Sequence, residues 1–210
     1  LEGLMTHLAS ADEDAAATEH QLDVAAEVAR ALELRGLRPP MVHAANSAGL
    51  AFLRPGHTLA RPGLLLYGVR PRPLSPEVAV EPVLTVSARI ARLVEVPPGT
   101  AVSYGGRWVA ARPSRIATLP LGYADGVPRT DAMRQRGAFL VRGRRAPVVG
   151  TVCMDLTMVD VTDVPEAAEG DEAVLFGDAP GAWEVAACAG TNAWQALTAV
   201  SPRVPREHVG

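Results

Sequence analysis

Pro40-Met41-Val42-His43-Ala44-Ala45-Asn46-Ser47 is the stretch on which the reading of the fold turns. It is an apolar run with a polar end, and Asn46-Ser47 stands where a short helix, Ala48 to Leu53, needs a cap. The same pattern lies upstream. Gly3-Leu4-Met5-Thr6-His7 is a short apolar run ending in polar residues. From Thr18 to Arg35, Leu22, Ala25, Ala26, Ala29 and Leu32 then recur at helical spacing until Gly36 supplies the stop. Downstream, Gly63 to Tyr67 reads as a third apolar strand. Strands alternating with helices imply a parallel sheet. A closed (β/α)8 barrel takes ~250 residues, so the first ~70 residues can supply at most the last third or so of one.

Between Pro71 and Pro82 the chain turns Pro-rich and polar, and helical periodicity disappears beyond it. Short strands between Gly and Pro turns follow: Leu84 to Val96, Ser114 to Pro120, Gly137 to Val141, Ala146 to Val161 and Ala173 to Phe176. That spacing predicts a mostly β, barrel-like domain, with short helices at Glu184 to Ala189 and Ala193 to Val200. The expected class is therefore α/β plus all-β. Residues 1–76 are expected to be the α/β part and residues 77–210 a C-terminal β domain.

Composition narrows the function. With 210 residues, 48% hydrophobic and 20% charged, the chain can bury a real core. All 20 basic residues are Arg, so any step that needs a lysine amine is outside this chain. A net charge of −3 with no dense basic block gives nucleic-acid binding little electrostatic support. Apolar runs such as Leu64-Leu65-Leu66 fall far short of the ~20 residues of a membrane span, and no charged-then-apolar leader opens the chain. A cytoplasmic protein is expected. Cys153 and Cys188 are too few for a disulfide framework and lack metal or redox spacing, so no metal site is expected. The chain begins at Leu1 in what reads as the middle of a strand, and part of a longer polypeptide is expected.

The chemistry-bearing residues sit at strand ends and in turns. His7 follows the first strand, His43 and Asn46-Ser47 follow the second, and Arg61-Pro62-Gly63 precedes the third. In TIM barrels the C-terminal strand ends build the active site, although Asn46 and Ser47 also make ordinary caps. Val102-Ser103-Tyr104-Gly105-Gly106 and Gly122-Tyr123-Ala124-Asp125-Gly126 each put a phenol in a Gly-flanked turn, where a ligand can approach the backbone closely. Cys153-Met154-Asp155 places an acid in an apolar run. Its plain reading is a strand whose Asp faces solvent or pairs with an arginine.

In order along the chain, His7-Leu8-Ala9-Ser10-Ala11-Asp12, His43-Ala44-Ala45-Asn46-Ser47, Arg61-Pro62-Gly63 with Tyr67-Gly68, Val102-Ser103-Tyr104-Gly105, Gly122-Tyr123-Ala124-Asp125-Gly126 with Pro128-Arg129, Cys153-Met154-Asp155 and Arg203-Val204-Pro205-Arg206 resemble the alanine racemase family. The resemblance implies a fold-type-III pyridoxal 5′-phosphate enzyme that interconverts L- and D-alanine for peptidoglycan synthesis, with residues 1–76 as the C-terminal part of a (β/α)8 TIM barrel and residues 77–210 as its C-terminal β domain. It also implies a homodimer whose sites draw on both subunits. Tyr104 matches the catalytic tyrosine, with His7 as its hydrogen-bond neighbour. Arg61 matches the donor to the cofactor's pyridine nitrogen. Ser47, Gly63 and the backbone of Leu64 match the phosphate cradle, with His43 and Asn46 beside the cofactor. Met154 matches the residue whose N–H meets the substrate carboxylate, Tyr123 the pocket wall, and Asp12 the substrate corridor; Arg129 and Asp155 support them.

The sequence departs from the family in three places. The lysine that bonds the cofactor is absent, and arginine cannot replace it as a neutral nucleophile, so this chain alone is expected to be inactive. Trp194 stands where the family usually has a phosphate-binding tyrosine, and Thr151 where the corridor often has an arginine. These departures leave two further readings beside the first: a broad-specificity or serine-type racemase, and a non-catalytic dimerisation or scaffold remnant.

Overall fold

Asp14 starts the first helix: its carboxylate accepts from the Ala17 amide at 3.0 Å, satisfying one of the donors a helix start leaves open. In the computed structural model, which describes residues 1–71 and 79–209, the chain divides into two units, Leu1–Val83 and Leu84–Gly210. The expected boundary between 76 and 77 lies outside the described residues.

The first unit comprises β1 (Gly3–Met5), α1 (Ala15–Glu33), β2 (Met41–His43), a short 3-10 turn (Ala48–Phe52) and α2 (Gly63–Leu66). β1 and β2 pair in parallel, with Leu4 opposite Val42. Leu8, Ala11, Leu22, Ala44 and Ala48 pack as a core against which Phe52 leans. The third unit departs from expectation. Gly63 to Tyr67 is not a strand, because its first four residues are helical. Three consecutive leucines have no β-branch to favour extension, and an apolar run this short is ambiguous by periodicity alone. The place beside β2 goes instead to residues 58–61. There the Thr58 amide donates to the Val42 carbonyl (2.9 Å), the Val42 amide to Thr58 Oγ1 (3.0 Å) and the Arg61 amide to the Ala45 carbonyl (2.8 Å).

The second unit holds β3 (Val86–Arg89), β4 (Arg92–Val96), β5 (Ala101–Val102), β6 (Trp108–Val109), β7 (Ser114–Leu119), α3 (Asp131–Arg136), β8 (Ala138–Val141), β9 (Arg144–Pro147), β10 (Thr157–Asp160), β11 (Glu172–Phe176), α4 (Ala182–Ala189) and α5 (Ala193–Thr198). The sheets run β10-β7-β4 and β3-β11-β8-β9, with β5-β6 as a separate hairpin. All these pairings are antiparallel.

Two of the expected strands are broken. Leu84 to Val96 turns a corner at buried Ile90, so that β3 pairs with β11 and β4 with β7. Ala146 to Val161 splits into β9 and β10, because Pro147 has no N–H to continue a ladder and Gly150 takes a left-handed φ of 73°. Cys153-Met154-Asp155 therefore lies in a loop rather than a strand. An isolated bridge from Val148 to Val159 links the ends of the two sheets.

The β8–β9 hairpin turns through Arg142 (φ 47°) and Gly143 (φ 74°), both left-handed as a two-residue turn requires. Arg142 is held there by a bidentate pair with Asp171, Nε to Oδ2 at 2.6 Å and Nη2 to Oδ1 at 2.8 Å. The Asp171 carboxyl is held below its usual range, first by Arg142 and then by the Ala168 amide.

Two outcomes follow from this packing. Phe139 is fully buried, and Phe139→Ala is expected to cost about 3–5 kcal/mol in denaturant unfolding. A depressed folded pKa contributes stability above the unfolded value and loses it as pH falls through the folded one. The stability gap between the native chain and Asp171→Asn is therefore full at neutral pH and closes only below the ordinary carboxylate value of ~3.9. Denaturant midpoints across acid pH measure that gap.

Candidate functional site

In the first unit the C-terminal ends of β1 and β2 deliver Thr6-His7 and His43-Ala44, and Arg61 reaches back to both. Its Nη2 donates to the carbonyls of Thr6 and Ala44, each at 3.1 Å, and lies 3.5 Å from His7 Nδ1, while Nη1 meets His43 Nδ1. A guanidinium only donates, so His43 Nδ1 is the acceptor in this contact. The charge of Arg61 is thus fixed at the ends of two parallel strands.

Asn46 and Ser47 divide the work that capping alone would predict. Asn46 Oδ1 accepts from the Gly49 amide at 2.8 Å and caps the 3-10 turn. Buried Ser47 instead accepts from the Leu65 amide at 3.3 Å, tying that turn to α2. Leu64 is buried, whereas the space where Gly63 would carry a Cβ is open. Asp12 is exposed in the turn that precedes α1.

Gln21 was not singled out by the sequence, yet it organises the loop behind His7. Its amide nitrogen donates to Thr6 Oγ1 and the His7 carbonyl, both at 2.8 Å, and its oxygen accepts from the Ala9 amide at 3.1 Å. The available signal was a polar residue on the same helix face as buried Thr18 and Leu22.

In the second unit the two tyrosine-bearing turns meet the loop between β9 and β10. Tyr104 is exposed at the tip between β5 and β6. It follows Ser103, whose φ of 66° and ψ of −178° lie in a region that costs a non-glycine residue on the order of 1–3 kcal/mol. Ser103 Oγ donates to the Thr151 carbonyl at 2.6 Å, and Thr151 Oγ1 donates to the Tyr104 carbonyl at 3.2 Å. Tyr104 borders a cavity of about 330 Å³ that Arg107, Arg129, Arg134, Asp131 and Thr151 also line. Asp131 pairs with Arg134 at 3.1 Å and lies 3.7 Å from Arg107. Three guanidiniums against one carboxylate leave the cavity net positive, which suits a carboxylate-bearing ligand.

Tyr123 opens the second turn, and its ring lies under the Arg129 guanidinium at 5.5 Å. The Tyr123 and Ala124 amides donate to the carbonyls of Cys153 and Met154, both at 3.0 Å. The Met154 side chain is exposed. Asp155 pairs with Arg203, whose Nε also reaches the buried Asp125 at 2.8 Å. Asp125 in turn accepts from the Gly122 amide at 2.8 Å. The ties from Ser103 to Thr151 and from Arg203 to Asp125 were missed because each joins segments far apart in the chain. Trp194 packs edge-on against Trp183, ring centroids 5.8 Å apart. Among the described residues no group of three or more His, Cys, Asp or Glu is placed to hold a metal ion, and no helix is long and apolar enough to cross a membrane.

Comparison with known proteins covers the whole chain. Residues 83–208 match the family model described as alanine racemase, C-terminal domain, and residues 1–71 match alanine racemase, N-terminal domain. The alanine racemase of Halothermothrix orenii is 46% identical over 99% of this chain and 56% of its own length. That of Sorangium cellulosum is 45% identical over 98% and 56%. Among solved structures, alanine racemase from D-cycloserine-producing Streptomyces lavendulae superposes with a TM-score of 0.89 at 36% identity, over 100% of this chain and 56% of that one. The biosynthetic alanine racemase of Pseudomonas aeruginosa gives 0.81 at 37%, over 99% and 57%. The chain spans a little over half the length of these relatives, and it belongs to the alanine racemase family.

Proposed function

We propose that this chain is the C-terminal portion of an alanine racemase, residues 1–76 completing a TIM barrel and 77–210 forming the β domain. Joined to a lysine-bearing N-terminal portion, it interconverts L- and D-alanine in the cytoplasm, supplying D-alanine for peptidoglycan. It works as a homodimer in which Tyr104 of one subunit serves the cofactor-binding residues of the other. The observation that carries this reading is Arg61, a permanent cation anchored by the carbonyls of Thr6 and Ala44 at the strand ends where barrel active sites lie.

The first unit's residues fit pyridoxal 5′-phosphate. No atom lies within 4 Å of where a Cβ on Gly63 would stand, and Ser47 Oγ meets the Leu65 amide of the same short helix, which leaves room for a phosphate there. Arg61 would face the pyridine nitrogen, with His43 and Asn46 alongside. When bound, the cofactor supplies an electron sink for the Cα carbanion. Arg61 can only donate, so opposite the pyridine nitrogen it would favour the unprotonated ring over a stronger electron sink. The Tyr104 phenol exchanges a proton with Cα on one face, and the missing lysine acts on the other. His7 and Asp155 support this arrangement, the Met154 N–H receives the substrate carboxylate, and Tyr123 walls the pocket. Asp12 and Arg129 border the approach, and the Trp194 indole N–H is a donor to the phosphate.

Joining this chain to the N-terminal portion of the Halothermothrix orenii relative tests the proposal, with alanine enantiomers followed by chiral chromatography. Conversion is expected from either enantiomer. Tyr104→Phe is expected to lower turnover by about 10²-fold or more while the cofactor's absorbance persists. Full turnover in that variant would remove Tyr104 from its role. A folded, cofactor-loaded protein that leaves both enantiomers unchanged would contradict the proposal.

A further inference from the structure

Resting on the proposed role of Tyr104, we infer that Ser103 and Thr151 are positioning residues that form a reciprocal clamp fixing the turn from which the Tyr104 phenol acts. The clamp runs in both directions. Ser103 Oγ donates to the Thr151 carbonyl at 2.6 Å, and Thr151 Oγ1 donates to the carbonyl of Tyr104 itself at 3.2 Å. Ser103 Oγ also stands 3.6 Å from Cys153 Sγ, so the hydroxyl is surrounded by the same loop.

Two features show that the clamp is built into the fold. Ser103 holds a positive φ of 66°, a conformation that persists only where surrounding contacts impose it. Gly150, at φ 73°, allows the loop to close on it: a Cβ there would lie 2.6 Å from Ser103 Cβ and 2.7 Å from the Val102 carbonyl. The hairpin that carries Tyr104 is otherwise slight, since β5 and β6 are two residues each and Gly105 and Gly106 follow the tyrosine at φ 72° and 55°. So short a hairpin does not hold one geometry by its own ladder. The restraint on Tyr104 comes from Thr151, a side chain with a hydroxyl short enough to reach that carbonyl.

The chain has three tyrosines, so ring signals of the ¹³C-tyrosine-labelled protein can be assigned by substitution and followed individually. Thr151→Val and Ser103→Ala are expected to shift or broaden the Tyr104 signals while Tyr67 is unmoved, and Thr151→Ser is expected to restore them. Ser103→Gly removes the hydroxyl without backbone strain, so it folds and gives the same loss of order if Ser103→Ala does not fold. In the protein joined to the relative's N-terminal portion, Thr151→Val is expected to lower kcat about tenfold with KM for alanine little changed, as misplacement of a reacting group does. Tyr104 signals unaltered in Thr151→Val and Ser103→Gly would overturn the clamp. Full turnover in Tyr104→Phe would overturn the catalytic reading instead, and the ring signals would still decide the clamp.

Discussion

The carbonyls of Cys153 and Met154 accept from the amides of Tyr123 and Ala124, and this short length of paired backbone is what the second unit's candidate residues depend on. The approach is so close that a Cβ on Gly122 would lie 2.2 Å from the Met154 carbonyl oxygen and 2.4 Å from that of Cys153. Backbone atoms cannot swing aside as a flexible side chain can, so glycine is required there for lack of space. The same loop holds the Tyr104 turn through Thr151. Both tyrosines are therefore referenced to one segment between β9 and β10, and that segment is fixed at its far end by Arg203, shared between Asp125 and Asp155. Asp125 is a buried carboxylate, tolerable because the Gly122 amide and Arg203 both compensate it.

The first unit solves the same problem with a cation. Arg61 leaves the segment beside β2 and returns to the carbonyls at the ends of β1 and β2, where unpaired acceptors would otherwise remain. Gln21 does for the loop after β1 what Thr58 does for the edge of β2: one polar side chain satisfies main-chain groups that no ladder reaches. Each unit presents its candidate side chains on irregular backbone, and each steadies that backbone by side chain to main chain hydrogen bonds rather than by secondary structure.

Much of this was legible before the structure. Alternation of apolar runs with Ala- and Leu-rich helical spacing identified β1, α1 and β2, and Gly-flanked tyrosines marked both turns, because glycine at such positions has few other uses. The third strand was misread because Leu64-Leu65-Leu66 carries no periodic signal, and its place was taken by the more polar residues 58–61. Cys153-Met154-Asp155 was placed in a strand on its apolar neighbours, whereas Pro147 and Gly150 had already ended the ladder. A pairing of Asp155 with an arginine was readable. Which of 20 arginines was not, since Arg203 lies 48 residues away and only the fold brings it near. Gln21 was illegible for a related reason: its partners are main-chain atoms whose positions exist only once the loop is built.

Proton transfer at the Cα of alanine is the role proposed for these residues. It is tested most directly by incubating each alanine enantiomer in deuterated water with this chain joined to a lysine-bearing N-terminal portion. Deuterium is expected at Cα together with the opposite enantiomer, from either starting point. A folded, cofactor-bound protein that leaves Cα fully protonated in both enantiomers would contradict it.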